Sequence, residues 1–213
     1  MTESASELSP DGHQEHDHRG AQDTALILRA QQGDVTAFES LIAAYQRRIL
    51  WLSFQLVGNY DDAQDVCQEV CIRLYRFLDK YDPNYRFFTW LYRLVVNASL
   101  DHIGKKRRRS AERSLDELAE ISSGADRDPS PDPLDVVQQT QIRAHLAEVM
   151  ELLTPQQKAA FILRDVEGLE GAEVATIMGC GMGTVRTHLH FARKKLRDEL
   201  KARHPELVTG GGS

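Results

Sequence analysis

Between Phe38 and Leu56 the apolar residues Phe38, Leu41, Ile42, Tyr45, Ile49, Leu52 and Leu56 recur at steps of three and four. Such steps gather side chains on one stripe of an α-helix and would scatter them over both faces of a strand. A chain carrying this stripe has to bury it against other helices. Asp34 stands just ahead of the stripe, where a carboxylate accepts from the first free backbone N–H groups, and Gly58 and Asn59 interrupt it at the far end. The pattern then repeats. Asp61 and Asp62 open a second helix with the stripe Val66, Val70, Leu74 and Phe77. A turn at Asp82–Asn84 follows, with Pro83 pre-setting the backbone. A third helix over about 89–104 buries Leu91, Leu94, Val95 and Ala98, and the basic run Lys105–Arg109 comes after it.

Residues 110–137 break the pattern. Pro129, Pro131 and Pro133 alternate among serines and acids, which forbids continuous helix; only "SLDELAEI" suits a short helical turn. Beyond this linker a second helical unit spans 138–203. Its first helix ends near Leu153. Thr154, Pro155 and Gln157 then form a complete start signal, with a hydroxyl cap, a proline at the first helical position and a side chain able to bond back to the cap. That helix runs to Gly168, a short one covers about 170–178, and a last helix begins at Thr184 with Val185, Leu189, Ala192 and Leu196 inward. No strand pattern of any length appears. The expected fold is all-α: two small helical domains joined by a flexible acidic linker, with residues 1–23 a mobile acidic tail and 204–213 a second tail.

The N-terminus has no basic segment leading into an apolar one, and no apolar run reaches the roughly 18 residues that cross a bilayer. Neither a signal peptide nor membrane insertion is expected. The 3 cysteines are odd in number and lack a framework spacing, which suits a reducing compartment and a cytoplasmic protein. Cys67 and Cys71 lie one helical turn apart and read as small core residues, since two ligands do not make a zinc site. His13, His16 and His18 could meet a metal, but nothing in a polar tail pre-arranges them. No cofactor is expected.

The formal net charge is −6, which on its own counts against nucleic-acid binding. The distribution of charge points the other way. Residues 1–24 hold six acids and one base, and residues 110–135 eight acids and two bases. Residues 85–109 hold seven bases and one acid, and residues 184–203 seven bases and two acids. The acid sits in tail and linker, and the base sits in two separate patches.

Each patch has its own chemistry. The chain's end reads helix, glycine-rich turn ("GCGMG", 179–183), amphipathic helix, the order of a helix-turn-helix. Gly183 and Thr184 give the last helix a small, capped entry. Arg186, Thr187 and His190 suit base edges or sugars, while Arg193, Lys194 and Lys195 suit phosphates. An ordinary helical hairpin with a solvated basic face fits the same residues. The other patch, "YDPNYRFFTWLY" (Tyr81–Tyr92), holds six of the chain's fifteen aromatics. Aromatic rings beside a basic run suit unstacked bases, each stacked base contributing roughly 1–3 kcal/mol without demanding a sequence. Trp90, Arg93 and Asn97 share one helical face there, offering a ring, a cation and an amide. An aromatic core edge, with Phe88 and Tyr92 inward, fits equally well.

The ordered stretches "GDVTAF" (33–38), "DVCQEVCIRLYR" (65–76), "FTWLYRLVVNASLDHIGKKRR" (88–108), "LTPQQKAAFILRDVEGLEGAEVATIMGC" (153–180) and "GMGTVRTHLHFARKKLRDEL" (181–200) together resemble a bacterial RNA polymerase sigma factor of the extracytoplasmic-function (ECF) group, group IV of the sigma-70 family. The resemblance implies that 24–109 is sigma region 2 and 138–203 sigma region 4. Asp65, Gln68, Glu69 and Arg73 would face the beta-prime clamp helices of core RNA polymerase, and region 4 would meet the beta flap. Tyr85, Arg86 and Phe87 would hold a flipped base of the −10 promoter element. Trp90, Arg93 and Asn97 would line the strand-separation site, and Lys105, Lys106, Arg107 and Arg108 would grip phosphates. Thr184, Arg186, Thr187, His190, Arg193 and Lys194 would contact −35 duplex DNA. An anti-sigma factor would be a further partner. The acidic linker would thread the RNA-exit path and limit non-specific DNA binding. The chain departs from the family pattern at Glu170, Gly171 and Ala172, at Gly181 and in "YDPNYRF", which bears on promoter preference.

The resemblance implies an initiation factor, not an enzyme. A two-domain regulator binding duplex DNA only is the alternative, and it would need no aromatic strand-binding surface in the first domain. A metal hydrolase built on the tail histidines would lack a scaffolded ligand set, a nucleophile constellation and a phosphate loop.

Overall fold

The computed structural model describes residues 12–82, 86–116 and 149–203. Helix α1 spans Gly12–Gln31, α2 Val35–Val57 and α3 Tyr60–Phe77, followed by a 3-10 turn at Leu78–Lys80 and by α4 at Phe87–Asp116. In the second unit α5 covers Pro155–Phe161 and passes into a π-helical turn at Ile162–Val166; α6 covers Gly171–Met178 and α7 Met182–Arg203. Every element among the described residues is helical, as the apolar spacing requires.

Local chemistry sets the boundaries. The Asp34 carboxylate caps α2 by accepting from the Ala37 amide at 3.1 Å. Its pKa is held down to about 2, first by the Thr36 hydroxyl, then by that amide and by Arg29. At the other end Gly58 adopts φ 78°, the left-handed conformation that closes a helix, and its N–H returns to the Phe54 carbonyl. Asn59, rather than either aspartate, caps α3, accepting from the Asp62 amide at 3.0 Å. Thr154 and Gln157 exchange reciprocal cap bonds of 3.3 and 3.2 Å around Pro155.

Three boundaries differ from expectation. Helix α1 begins at Gly12, inside the expected tail. Its C-terminal half is anchored by buried Ile27 and by Asp23, whose carboxylate accepts from the Tyr45 hydroxyl in the core. Helix α4 continues through Lys105–Arg109 to Asp116, beyond the expected linker boundary. Long Lys, Arg and Glu side chains cost little helix propensity, and no proline intervenes before Pro129. Helix α7 starts at Met182, so Thr184 lies within its first turn and the Gly181 carbonyl accepts from the Val185 amide at 3.1 Å. Residues 1–11, the expected linker from 117 to 137, the first part of the expected second unit (138–148), the tail 204–213, Pro83, Asn84 and Tyr85 and the side chains of His13, His16 and His18 lie outside the described residues.

Helix α2 packs against α1, α3 and α4, and α4 also packs against α6. One apolar core therefore runs through both units, joining Leu41, Leu52, Val66, Leu91 and Val95 to Ile162, Leu163, Leu169, Val174 and Ile177. Complete burial of such a side chain contributes about 1.5–3 kcal/mol. A smaller cluster of Val149, Leu153, Ala192 and Leu196 fastens the outer part of α7. The two units, expected as separate helical domains joined by a linker, are docked in this arrangement. No helix among the described residues is long and apolar enough to cross a membrane.

Candidate nucleic-acid interface

Helix α4 carries two kinds of surface. Leu91, Tyr92, Val95, Val96 and Ala98 are buried, which turns Arg93 and Asn97 outward. Trp90 is half-buried, its ring 5.2 Å from Tyr81 and 5.8 Å from Phe87. Lys105, Lys106, Arg107 and Arg108 are all exposed and ring the helix beyond this face. Lys106 and His102 converge on Asp62 of α3, at 2.5 and 3.0 Å. Burial opposes ionisation of that carboxyl, but the two hydrogen bonds outweigh it and lower its pKa.

Phe87 is a correction. It is buried, with its ring edge-on to Tyr45 at 5.4 Å and to Tyr81 at 5.5 Å, so it seats the start of α4 in the core and offers no face to a base. Its apolar ring is worth more inside than at the rim of a polar loop. Arg86, one residue earlier, is exposed and pairs with Glu173 of α6 at 3.1 Å.

On α7, Val185, Leu189, Ala192 and Leu196 face inward and leave Thr184, Arg186, Thr187, His190, Arg193 and Lys194 exposed. Thr187 bonds back to the Gly183 carbonyl at 3.0 Å, which fixes its hydroxyl near the glycine turn. Arg193 makes a two-pronged bridge to Asp165, at 2.9 and 2.6 Å, and that hydrogen-bonded carboxylate raises its pKa. A guanidinium so engaged is pre-oriented at the outer edge of the basic face.

Helix α3 presents a third face. Asp65, Gln68 and Glu69 are exposed, and Arg73 bonds to Glu69 at 2.8 Å and to Asp101 at 3.1 Å. Ile72 and Tyr75 continue this face with exposures of 40% and 67%, large values for apolar and aromatic groups. Tyr75 meets Phe38 of α2 edge-on at 5.2 Å. Both belong to the helical row that contains Asp65, Gln68 and Glu69, a spacing readable in the sequence but missed there. Cys67 is buried and Cys71 half-buried behind this row, with their thiols hydrogen-bonded. That bond lowers Cys71 to about 7, and it and burial push Cys67 up.

A buried polar network joins the two units. Arg48 of α2 donates from Nε to the Tyr92 hydroxyl at 2.6 Å and from Nη2 to Glu167. The Tyr92 hydroxyl in turn donates to Glu167 at 2.9 Å. Tyr92 is 1% exposed, and burial first, then the Glu167 charge, lifts its pKa well above the usual phenol range. Glu167 reaches the network because the preceding turn is π-helical, its amide bonding to the Ile162 carbonyl at 2.8 Å. A one-residue shift of this kind is invisible to apolar spacing.

Sigma-70 region 2 matches residues 41–109, and sigma-70 region 4 matches residues 143–196. Over 183 residues the chain is 34% identical to the RNA polymerase sigma-H factor of Pseudomonas aeruginosa, covering 84% of this chain and 94% of that protein. It is 32% identical over 181 residues to the ECF RNA polymerase sigma-E factor of Escherichia coli K12, again covering 84% and 94%. The chain belongs to the sigma-70 family, in its ECF group. Solved relatives share the fold of this sigma factor. CnrH in complex with the cytosolic domain of CnrY superposes with a TM-score of 0.59 at 22% identity, covering 85% of this chain and 98% of that one. The sigma factor RpoE in complex with the anti-sigma factor NepR from Bartonella quintana gives 0.60 at 21% identity, covering 78% and 98%.

Region 2 thus takes in α3, the basic and aromatic part of α4 and all but the start of α2, and region 4 takes in α5, α6 and most of α7. As a sigma factor the chain serves RNA polymerase at promoters, and the duplex-only regulator falls away because the first unit is region 2. Arg48 and Tyr92 lie in region 2 and Glu167 in region 4, so the buried network is a bridge between regions.

Proposed function

We propose that this sigma factor divides its work among three faces. The row Asp65, Gln68, Glu69, Ile72 and Tyr75 on α3 docks on the beta-prime clamp helices of core polymerase, with Arg73 holding Glu69 in place. The α4 face of Arg86, Trp90, Arg93 and Asn97, together with Tyr85, takes the −10 element as single strand, and Lys105–Arg108 hold its phosphates. Thr184, Arg186, Thr187, His190, Arg193 and Lys194 on α7 read and grip the −35 duplex, while region 4 contacts the beta flap. The chain works without catalytic chemistry of its own, in the cytoplasm, under control of an anti-sigma factor; one relative of the same fold, RpoE, was captured with an anti-sigma factor, NepR.

One observation supports this reading: the polar row of α3 and the basic and aromatic face of α4 are carried on two separate helices, packed together, and Asp65, Gln68, Glu69, Arg93 and Asn97 are all exposed, so strand and polymerase have different residues to engage. The test separates them. Glu69→Lys with Tyr75→Ala should abolish capture of core polymerase. Arg93→Ala with Asn97→Ala should leave capture intact and remove permanganate-reactive thymines in the promoter complex. Equal loss of capture by both variants would contradict the division.

A further inference from the structure

Beside the polar row of α3 lies a pair of thiols that the three faces leave unused. Cys67 and Cys71 stand one turn apart on that helix, Cys67 7% exposed in the core and Cys71 half-buried at its edge. The two are hydrogen-bonded to each other. On an α-helix a residue neighbours those three and four positions away. For Cys71 these are Cys67 and Gln68 on one side and Leu74 and Tyr75 on the other. Cys67 and Leu74 are buried, whereas Gln68 and Tyr75 are exposed members of the row. Cys71 therefore sits on the line where α3 passes from core to open surface. Arg73, bonded to Glu69 and to Asp101 of α4, borders the other flank of the row.

We propose that Cys71 is a modification site: its sulfur exchanges with a small dissolved disulfide, and the adduct blocks the α3 row against core polymerase. The proposal rests on the reading of that row as the polymerase-docking face. The step is a thiol–disulfide exchange. Cys71 gives its proton to solvent, and its thiolate attacks one sulfur of a disulfide RSSR. A new S–S bond joins Cys71 to one RS group, the old S–S bond breaks, and the second sulfur leaves as RS⁻. Cys71 is oxidised, the departing RS⁻ is the reduced product, and no further oxidant is needed.

The surroundings of Cys71 suit this chemistry. The thiolate is the attacking form, and an attacking thiol serves best with a pKa near the ambient pH. The hydrogen bond from Cys67 brings Cys71 to about 7. Cys67 itself is too deep for a dissolved reagent, and the same bond together with burial pushes it up. Cys67 does not expel the adduct either. Cβ atoms one turn apart on a helix lie about 5–6 Å from each other, a disulfide draws them to about 3.5–4.5 Å, and α3 is continuous from Tyr60 to Phe77. The mixed disulfide thus persists until an external thiol removes it, which makes the block reversible. A substituent the size of a tripeptide, emerging between Gln68 and Tyr75, occupies the space a docked helix needs.

The test uses the full chain, incubated with oxidised glutathione as the small disulfide and then freed of excess reagent. Peptide mass spectrometry maps the adduct, titration with core RNA polymerase measures capture, and circular dichroism reports helix content. The adduct is expected on Cys71, with capture roughly tenfold weaker, helix content unchanged and full capture regained on treatment with dithiothreitol. Cys71→Ala, treated in the same way, is expected to keep its capture. An adduct that is absent or confined to Cys180 overturns the proposal. So does a Cys71-modified chain that captures polymerase as tightly as the native one, or one that loses capture together with its helix content. Untreated Glu69→Lys with Tyr75→Ala tells two failures apart. Normal capture by both this variant and the modified chain means that the docking reading of the row has failed as well. Normal capture by the modified chain alone leaves the row standing and rejects the block at Cys71.

Discussion

The hydroxyl of Tyr92 donates to Glu167 across 2.9 Å although 75 positions separate the two in the chain. Region 2 and region 4 thereby share both a polar network and an apolar core. Tyr92→Ala should lower stability by about 3–5 kcal/mol, since it empties a fully buried aromatic site and removes one of the two hydrogen bonds to Glu167, leaving that of Arg48. Urea unfolding followed by far-UV circular dichroism and by tryptophan fluorescence checks this. The native chain should show coincident transitions by the two probes, because the core is continuous through both regions.

Acid should loosen the α3–α4 contact at Asp62. Its folded pKa lies below the unfolded carboxylate value of about 3.9. The stability it contributes is therefore fully present above that value and is lost as pH falls through the depressed folded pKa. Asp62→Asn should cost about 0.5–1 kcal/mol near neutral pH and flatten the acid limb of the stability profile. Thermal melts from neutral pH down into that acid range measure both effects.

Cys71 should be the most reactive of the three thiols. The Cys67 S–H donates to it and stabilises its thiolate, bringing its pKa to about 7, whereas burial raises Cys180. Thiolate is the nucleophile, so alkylation by iodoacetamide should rise with a midpoint near pH 7 at Cys71 and at higher pH elsewhere. Peptide mass spectrometry across pH resolves the sites, and Cys67→Ala should move the Cys71 midpoint upward.

Arg186 and Lys194 should fail differently when removed. Both are exposed on α7, but Arg186 sits near the entry of the helix and Lys194 two turns further on. Arg186→Ala should cost about 1–3 kcal/mol on the preferred −35 sequence and relax specificity there. Lys194→Ala should weaken binding to all sequences alike and reduce the salt slope by about one. Promoter binding by the polymerase complex across salt concentrations separates the two outcomes.

Much of this architecture is legible in the sequence because it is written in short-range chemistry. The stripe from Leu41 to Leu56, the cap at Asp34 and the Thr154–Gln157 box depend on neighbours within a few residues, and the structure places them as the spacing requires. The inward row of α7 is legible for the same reason, and with it the outward one. The place of Phe87 is not legible, because aromatic clustering does not say which rings a core will take; Tyr45 and Tyr81 claim this one. The extension of α4 to Asp116 escapes the apolar pattern because a basic run carries no apolar period, though its residues favour helix. Glu167 leaves no trace in the sequence, since its direction depends on a π-turn and its partners lie in another region.

The most direct measurement is run-off transcription by core RNA polymerase with the purified chain on a library of genomic promoters. The account predicts initiation from a discrete set of templates that core polymerase alone leaves silent. A chain that neither associates with core polymerase nor initiates on any template would contradict it.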